Sequence, residues 1–247
     1  MTALTPHPAM NSEEVRALSL QLEEMPLDEL LQWCWHHFSA RAAIGTSFQG
    51  AGLIILHHAC RLELPFPSFT LDTGLLFPET LRLKEQIEER LGVVIESLHP
   101  ELTVEQQAAE MGVALWERRP DTCCTMRKVV PLQKKLAQLD VWITGLRRQH
   151  SEVRAGTQVL ERYQFDALRD GYIYKLNPLA TWTRARVRAY LAEHQLPYNP
   201  LKDRGYRSIG CVPCTRPVSE SEDDRAGRWT GFDKSECGIH TFLGDNI

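Results

Sequence analysis

The sequence predicts an α/β fold: a parallel sheet with helices on both faces, followed by an irregular C-terminal extension. Three observations predict it. From Arg41 onward, short apolar segments of strand length alternate with helical patterns, the rhythm of βαβ units whose sheet is covered on both faces. Beyond Leu196 the chain is rich in Pro, Gly and charge and loses its periodicity. Its 247 residues, 43% hydrophobic and 24% charged, are ordinary for a soluble globular protein with a sizeable core.

The elements follow in order. Asn11 to Met25 is a capped helical pattern, with Asn11 and Glu14 at capping-box spacing. Leu27, Leu30, Leu31, Cys34, Trp35 and Phe38 mark a second amphipathic helix. Ala42 to Thr46 reads as a buried strand, Ser47 to Gly50 as a loop and Ala51 to Cys60 as a helix. Phe66 to Leu71 is the next strand and Asp72 to Phe77 its loop. Pro78 suits a first helical position, and Gly92 ends that helix after Leu91. Val93 to Ser97 is a third strand, Thr103 to Met111 a helix, Val141 to Thr144 a further strand, and Thr183 caps a helix reaching His194. No linker or repeat interrupts the chain. One domain is expected over residues 1–247, with N-terminal helices at 1–40, an α/β core at 41–195 and a C-terminal region at 196–247.

Several classes are excluded at once. No apolar run approaches the ~20 residues that span a bilayer. Met1 to Met10 lacks the basic stretch and apolar core of a signal peptide, so a cytoplasmic protein is expected. Seven cysteines, an odd number, are then kept reduced, which argues against a disulfide framework. The net charge of −4 conceals an asymmetry: residues 1–117 carry 17 acidic and 6 basic side chains, residues 118–247 carry 15 and 22. Of the 28 basic residues only 7 are lysine. Arginine suits bidentate recognition of phosphate or sulfate, so the second half is suited to holding an anion.

Ligands of such sheets sit at the carboxyl ends of strands. That directs attention to three loops: Gly45-Thr46-Ser47-Phe48-Gln49-Gly50-Ala51-Gly52, Leu71-Asp72-Thr73-Gly74, and Ile143-Thr144-Gly145-Leu146-Arg147-Arg148 with Ser151 and Arg154 nearby. The first opens a helix whose N–H groups attract an anion, although the Gly-Lys-Ser/Thr ending of a Walker A loop is missing.

Cys34 and Cys60 lie on apolar helix faces and read as buried, inert thiols. Cys123-Cys124 and Cys211-x-x-Cys214 form a set of four, suited to a zinc ion or an iron–sulfur cluster. Adjacent residues converge on one ion only with strain, so the Cys123-Cys124 pair favours a [4Fe–4S] cluster; a redox-active Cys211–Cys214 disulfide leaves that pair unexplained. Arg127 and Lys128 stand about one helical turn beyond, where a cation suits an anionic cluster. Cys237, in Glu236-Cys237-Gly238-Ile239-His240, is a lone thiol in a segment expected to be mobile. His240, Arg225 and Arg228 would favour its nucleophilic thiolate, and with no neighbouring cysteine to resolve an adduct, an outside reductant is needed.

Together these motifs resemble the assimilatory sulfonucleotide reductases, in the branch of bacterial adenylyl-sulfate (APS) reductases that carry an iron–sulfur cluster. The resemblance covers roughly residues 41–241, and its most specific marks are the cysteine pattern and the Glu-Cys-Gly-x-His ending. It implies an adenine-nucleotide α-hydrolase-like fold and a [4Fe–4S] cofactor on Cys123, Cys124, Cys211 and Cys214. The implied reaction is thioredoxin-dependent (or glutaredoxin-dependent) reduction of APS to sulfite and AMP, in sulfate assimilation and cysteine biosynthesis. Cys237 would attack the sulfate sulfur to give an S-sulfocysteine. Lys128, Arg225, Arg228 and His240 would contact the phosphosulfate. Ser47, Phe48, Gln49, Gly50, Leu71, Asp72, Thr73, Gly74 and Gly145 would hold the adenosine, and Arg147, Arg148 and Arg154 match the family's arginine loop. His150 stands where a glutamine is usual and Gly52 where an acidic residue is frequent, departures that bear on the choice between APS and its 3′-phosphorylated form, PAPS. A homo-oligomer is also expected. The chain ends at Ile247 without a thioredoxin-like domain, so the expected reductant is a separate protein. Rival readings are a zinc-stabilised nucleic-acid-binding module, disfavoured by a pI near 6.1, and an ATP pyrophosphatase-type ligase, distinguished by ATP consumption.

Overall fold

The computed structural model describes residues 10–166, 171–234 and 236–240. Its N-terminal helices are α1 (Ser12–Glu23) and α2 (Leu27–Phe38). Asn11 caps α1 as its sequence predicts: its Oδ1 accepts from the Glu13 and Glu14 amides at 3.0 Å, while Glu14 accepts from the Asn11 amide at 2.8 Å. Strand β1 (Ala42–Gly45), helix α3 (Gly50–Arg61), strand β2 (Ser68–Leu71), helix α4 (Pro78–Leu91) and strand β3 (Ile95–Leu98) follow. Gly92 closes α4 in the left-handed region, at φ +65°. Then come α5 (Val104–Met111), α6 (Leu115–Arg118), α7 (Pro120–Cys124) and α8 (Val130–Leu136), the last two joined by a π-helical turn over Thr125–Val129. Strands β4 (Val141–Ile143), β5 (Leu160–Asp166) and β6 (Gly171–Leu176) and helix α9 (Arg184–Glu193) complete the regular structure. Beyond α9 the described residues form only 3-10 turns and irregular backbone, as expected.

The six strands lie in the order β3-β2-β1-β4-β6-β5. Every neighbouring pair is parallel except β5–β6, an antiparallel edge pair. The sequence reading missed this pair. Buried Lys175 interrupts the apolar pattern of β6, and Glu161, Arg162 and Gln164 break that of β5.

Side chains alternate across the sheet and so define two cores. Ala42 and Ile44 of β1, with Val141 and Ile143 of β4, join the larger core beneath α1, α2 and α3. Ala43 and Trp142 point the other way, toward Leu132 and Leu136 of α8. Leu31, Leu53, Ile54 and Ile55 are fully buried, each contributing roughly 1.5–3 kcal/mol by leaving water. Cys34 belongs to this core and Cys60 is half-buried at the end of α3; burial raises both thiols, consistent with inert roles.

Strand order reverses between β1 and β4, so the loops after them diverge and open a crevice at the sheet's carboxyl edge. No helix among the described residues is long and apolar enough to cross a membrane.

Candidate active site

A cavity of about 850 Å³ occupies that crevice, lined by all three loops singled out in the sequence. The first loop turns sharply at Phe48, whose φ is +56° and whose amide donates to the Thr46 hydroxyl at 3.0 Å. Gly145 lets the loop after β4 meet the start of α3, and Gly52 makes room for Thr46 within the first loop. A Cβ on Gly145 would stand 2.9 Å from the Gly52 nitrogen, and one on Gly52 would stand 2.5 Å from Thr46 Oγ1. A side chain at position 52 would therefore press on Thr46 within the first loop. Ser47, Phe48, Gln49, Gly50, Leu71, Thr73 and Gly145 all line the cavity.

Asp72 and Gly74 do not. They build the turn instead: the Asp72 carboxylate accepts from the Gly74 amide at 2.9 Å, and Gly74 sits at φ +68°. Arg127 holds the turn from behind, donating to the Thr73 carbonyl at 2.6 Å.

The adjacent arginines Arg147 and Arg148 part company. Arg147 is buried against the cavity and donates to the Trp182 carbonyl at 3.1 Å, while its Nε has no partner among the described residues. Arg148 turns outward to a bidentate pair with Glu23 of α1, at 2.6 and 2.8 Å, and donates to the Thr157 carbonyl. In this structure it braces α1 against the loop and does not line the cavity. Arg154 reaches the cavity and pairs with Glu236 at 2.8 Å; Arg225 holds the same carboxylate at 3.2 Å. Between them His150 Nδ1 accepts from the Arg147 amide at 3.3 Å, and burial among Arg147, Arg154 and Arg225 pushes that imidazole down to about 3.

The cysteines gather at the other end. Cys123 and Cys124 finish α7, and the π-helical turn that follows presents Arg127 and Lys128, both buried. Cys211 faces Leu76 across an isolated bridge, and the Thr73 hydroxyl is 3.3 Å from its sulfur. Burial pushes Cys123 and Cys214 up to about 11, each reinforced by the charge of neighbouring thiols of the set. Burial also opposes ionisation of Cys211, but Lys128, Thr73 and Arg228 outweigh it and bring the thiol below its usual range. Burial pulls the Lys128 ammonium down, but the charges of Cys211, Cys237 and Cys124 outweigh it and raise it above its usual range. Lys128 thus lines the same cavity as Cys211 and Cys237 and shares their field.

Among the described residues no three His, Cys, Asp or Glu side chains come close enough to hold a single metal ion. The chemistry of this donor set, four thiols of which Cys123 and Cys214 feel their neighbours' charge, suits a thiolate-held metal centre.

Cys237 lines the cavity with Lys128, Arg225 and Arg228. Arg228 lies over the Trp229 ring at 4.4 Å and donates to the Cys214 carbonyl at 3.3 Å. His240 is half-buried: its ring lies flat on Trp142, centroids 5.0 Å apart and planes 9° from parallel. The sequence reading missed Lys202, Arg184, Arg188 and Arg207, which also line the cavity. Burial and the charges of Arg184, Arg188 and Arg147 bring Lys202 down to about 8. Their one signal in the sequence is the basic excess of the second half.

Comparison with known proteins places this architecture. The chain is 44% identical over 233 residues to the adenosine 5′-phosphosulfate reductase of Salinibacter ruber, covering 94% of this chain and 90% of that one. It is 39% identical over 245 residues to the phosphoadenosine 5′-phosphosulfate reductase of Gloeobacter violaceus, covering 97% and 100%. The crystal structure of the phosphoadenylyl-sulfate reductase of Candida auris in a phosphate complex superimposes with a TM-score of 0.72 at 28% identity, over 85% of this chain and 98% of that one. FMN adenylyltransferase of Candida glabrata, at 15% identity and a TM-score of 0.54 over 87% of this chain and 72% of that one, shares the fold alone. A family model, the phosphoadenosine phosphosulfate reductase domain, matches residues 41–217, and with those relatives it settles that the chain belongs to this family.

Proposed function

We propose that the protein reduces APS to sulfite and AMP, through an S-sulfocysteine on Cys237 that thioredoxin or glutaredoxin discharges. The observation that carries this reading is the placement of Cys237 in the nucleotide-sized cavity beside Lys128, Arg225 and Arg228. Relatives named adenosine 5′-phosphosulfate reductase at 40–44% identity support it.

In this reading the backbone of residues 47–50, Leu71, Thr73 and Gly145 holds the adenosine. Lys128, Arg225 and Arg228 hold the phosphosulfate, with Arg147 and Arg154 alongside and His240 at the tail. The Cys237 thiolate attacks the sulfate sulfur, a sulfur–sulfur bond forms, and the sulfur–oxygen bond to phosphate breaks, its electron pair leaving with AMP. Cationic side chains aimed at that departing oxygen stabilise the developing charge. A thiolate of the reductant then attacks Cys237 Sγ and expels sulfite, and its second thiolate resolves the mixed disulfide. Sulfur gains the two electrons that the dithiol loses. Cys123, Cys124, Cys211 and Cys214 would hold a [4Fe–4S] cluster. Bound there, it would supply a compact negative charge that orients and tunes Lys128. The same reading carries the expectations of a single domain over 1–247 and a cytoplasmic homo-oligomer.

A second reading is use of PAPS, alone or beside APS. Lys202, Arg184 and Arg188 add positive charge around the cavity beyond the cations near Cys237. Anaerobic turnover with the two nucleotides side by side, reduced thioredoxin supplied, tests both. Sulfite from APS is expected; no sulfite from either nucleotide would reject the function.

A further inference from the structure

Three buried side chains of the sheet have no part in the reaction proposed above, yet they touch the segment that carries its nucleophile. Trp142 of β4 and Lys175 of β6 are register partners, and Tyr163 lies on the edge strand β5. The Trp142 and Tyr163 rings are 5.5 Å apart. Lys175 Nζ is 4.9 Å from the Tyr163 ring and 5.8 Å from that of Trp142, with Glu161 at 3.3 Å as its counter-charge. On this platform rests the end of the described chain. Tyr163 Oη donates to the Ile239 carbonyl at 2.7 Å, Ile239 packs on the apolar cluster that includes Trp142 and Tyr163, and His240 lies flat on Trp142. On the other side of Cys237, Glu236 is gripped by Arg154 and Arg225. The nucleophile is suspended between two anchors, with Gly238 turning the backbone at φ +82°.

We propose that Trp142, Tyr163 and Lys175 are positioning residues: a seat for Ile239 and His240 that holds Cys237 at its station for attack on sulfur. The proposal rests on the S-sulfocysteine reading. A thiol on an irregular tail loses conformational freedom on docking, and attack on sulfur rewards a reacting atom already held in place. The second half-reaction has the opposite need, because a protein dithiol must reach the sulfonated Cys237. The seat therefore serves sulfonation of Cys237 and does nothing for release of sulfite. Lys175, a cation beside both rings, stiffens them from beneath.

Tyr163→Phe removes one hydroxyl and keeps the ring. In the cluster-loaded protein without nucleotide, iodoacetamide should alkylate Cys237 about tenfold faster in this variant, the loss expected for a hydrogen bond of ordinary net worth, with the protection of Cys34 unchanged. In a single turnover with APS and no reductant, addition of a sulfonate to Cys237, followed by peptide mass, should slow by a similar factor. Release of sulfite from pre-sulfonated protein by reduced thioredoxin should stay unchanged. Unaltered alkylation and sulfonation would overturn the proposal, as would equal slowing of both half-reactions. If Cys34 becomes reactive, Ile239→Ala, which alters the tail and leaves the sheet intact, carries the same expectations. If wild-type protein is never sulfonated by APS, the proposed function fails while the alkylation rates still decide the seat.

Discussion

The two ends of the cavity are built by different means. At the nucleotide end, backbone does the shaping: three loops follow β1, β2 and β4, strands that adjoin in the sheet, and the glycine at 145 lets two of them touch. At the thiol end, side chains do the shaping. Cys123, Cys124 and Lys128 come from one helical stretch, Cys211 from an isolated bridge and Cys214 from the 3-10 turn after it, and Arg225, Arg228 and Cys237 from irregular backbone. Shape spread over many amides tolerates the loss of one side chain. A reacting centre made of a few charged or nucleophilic atoms does not. Single substitutions should therefore divide the two ends sharply.

The largest effect is expected at Cys237. Cys237→Ser should abolish sulfite release while AMP affinity stays near wild type, measured by turnover and by calorimetric titration; retained turnover would remove the nucleophile from the account. Lys128→Ala should come next, lowering kcat by about 10²–10³-fold with a smaller change in KM, as loss of one preorganised cation at a developing charge does. Unchanged kcat would sever the link between the cysteine set and the reaction.

The same division explains how much the sequence revealed. The loops at the strand ends were legible because strand, turn and helix signals lie next to one another in the chain, as with Thr46, Phe48 and Gly50. The cysteine quartet and Cys237 were legible through residue type and through the resemblance their spacing carries. The role of Arg148 was not, since nothing local tells it from Arg147; only the arrival of Glu23, 125 positions away, turns it outward. Nor were Lys202, Trp142 and Tyr163, whose meeting with the tail or the cavity depends on strand order and on an edge hairpin that the charged pattern of β5 concealed.

Arg147 and Arg148 make the comparison at one residue's resolution. Arg147→Ala should raise the nucleotide KM several-fold with little change in melting temperature. Arg148→Ala should leave KM alone and cost about 0.5 kcal/mol of stability, the scale of a partly exposed ion pair. Reversal of the two outcomes would return Arg148 to the ligand.

The smallest effect concerns acid. His150 is held neutral down to about 3 in the folded chain, whereas an unfolded histidine takes its proton near 6.5. Between these values the unfolded state binds more protons, so this contribution is complete above pH 6.5 and is lost as pH falls toward 3. His150→Gln should flatten the fall of denaturation midpoint with decreasing pH below 6.5. An unchanged slope would show that His150 carries no such linkage.

The central claim, that Cys237 takes the sulfonate from the nucleotide, is tested most directly by anaerobic incubation of the cluster-loaded protein with APS and no reductant. The account predicts AMP released in proportion to the chain and a sulfonate on the Cys237 peptide, which reduced thioredoxin then discharges as sulfite. AMP release without a sulfonate on that peptide, or a sulfonate on any other cysteine, would contradict it.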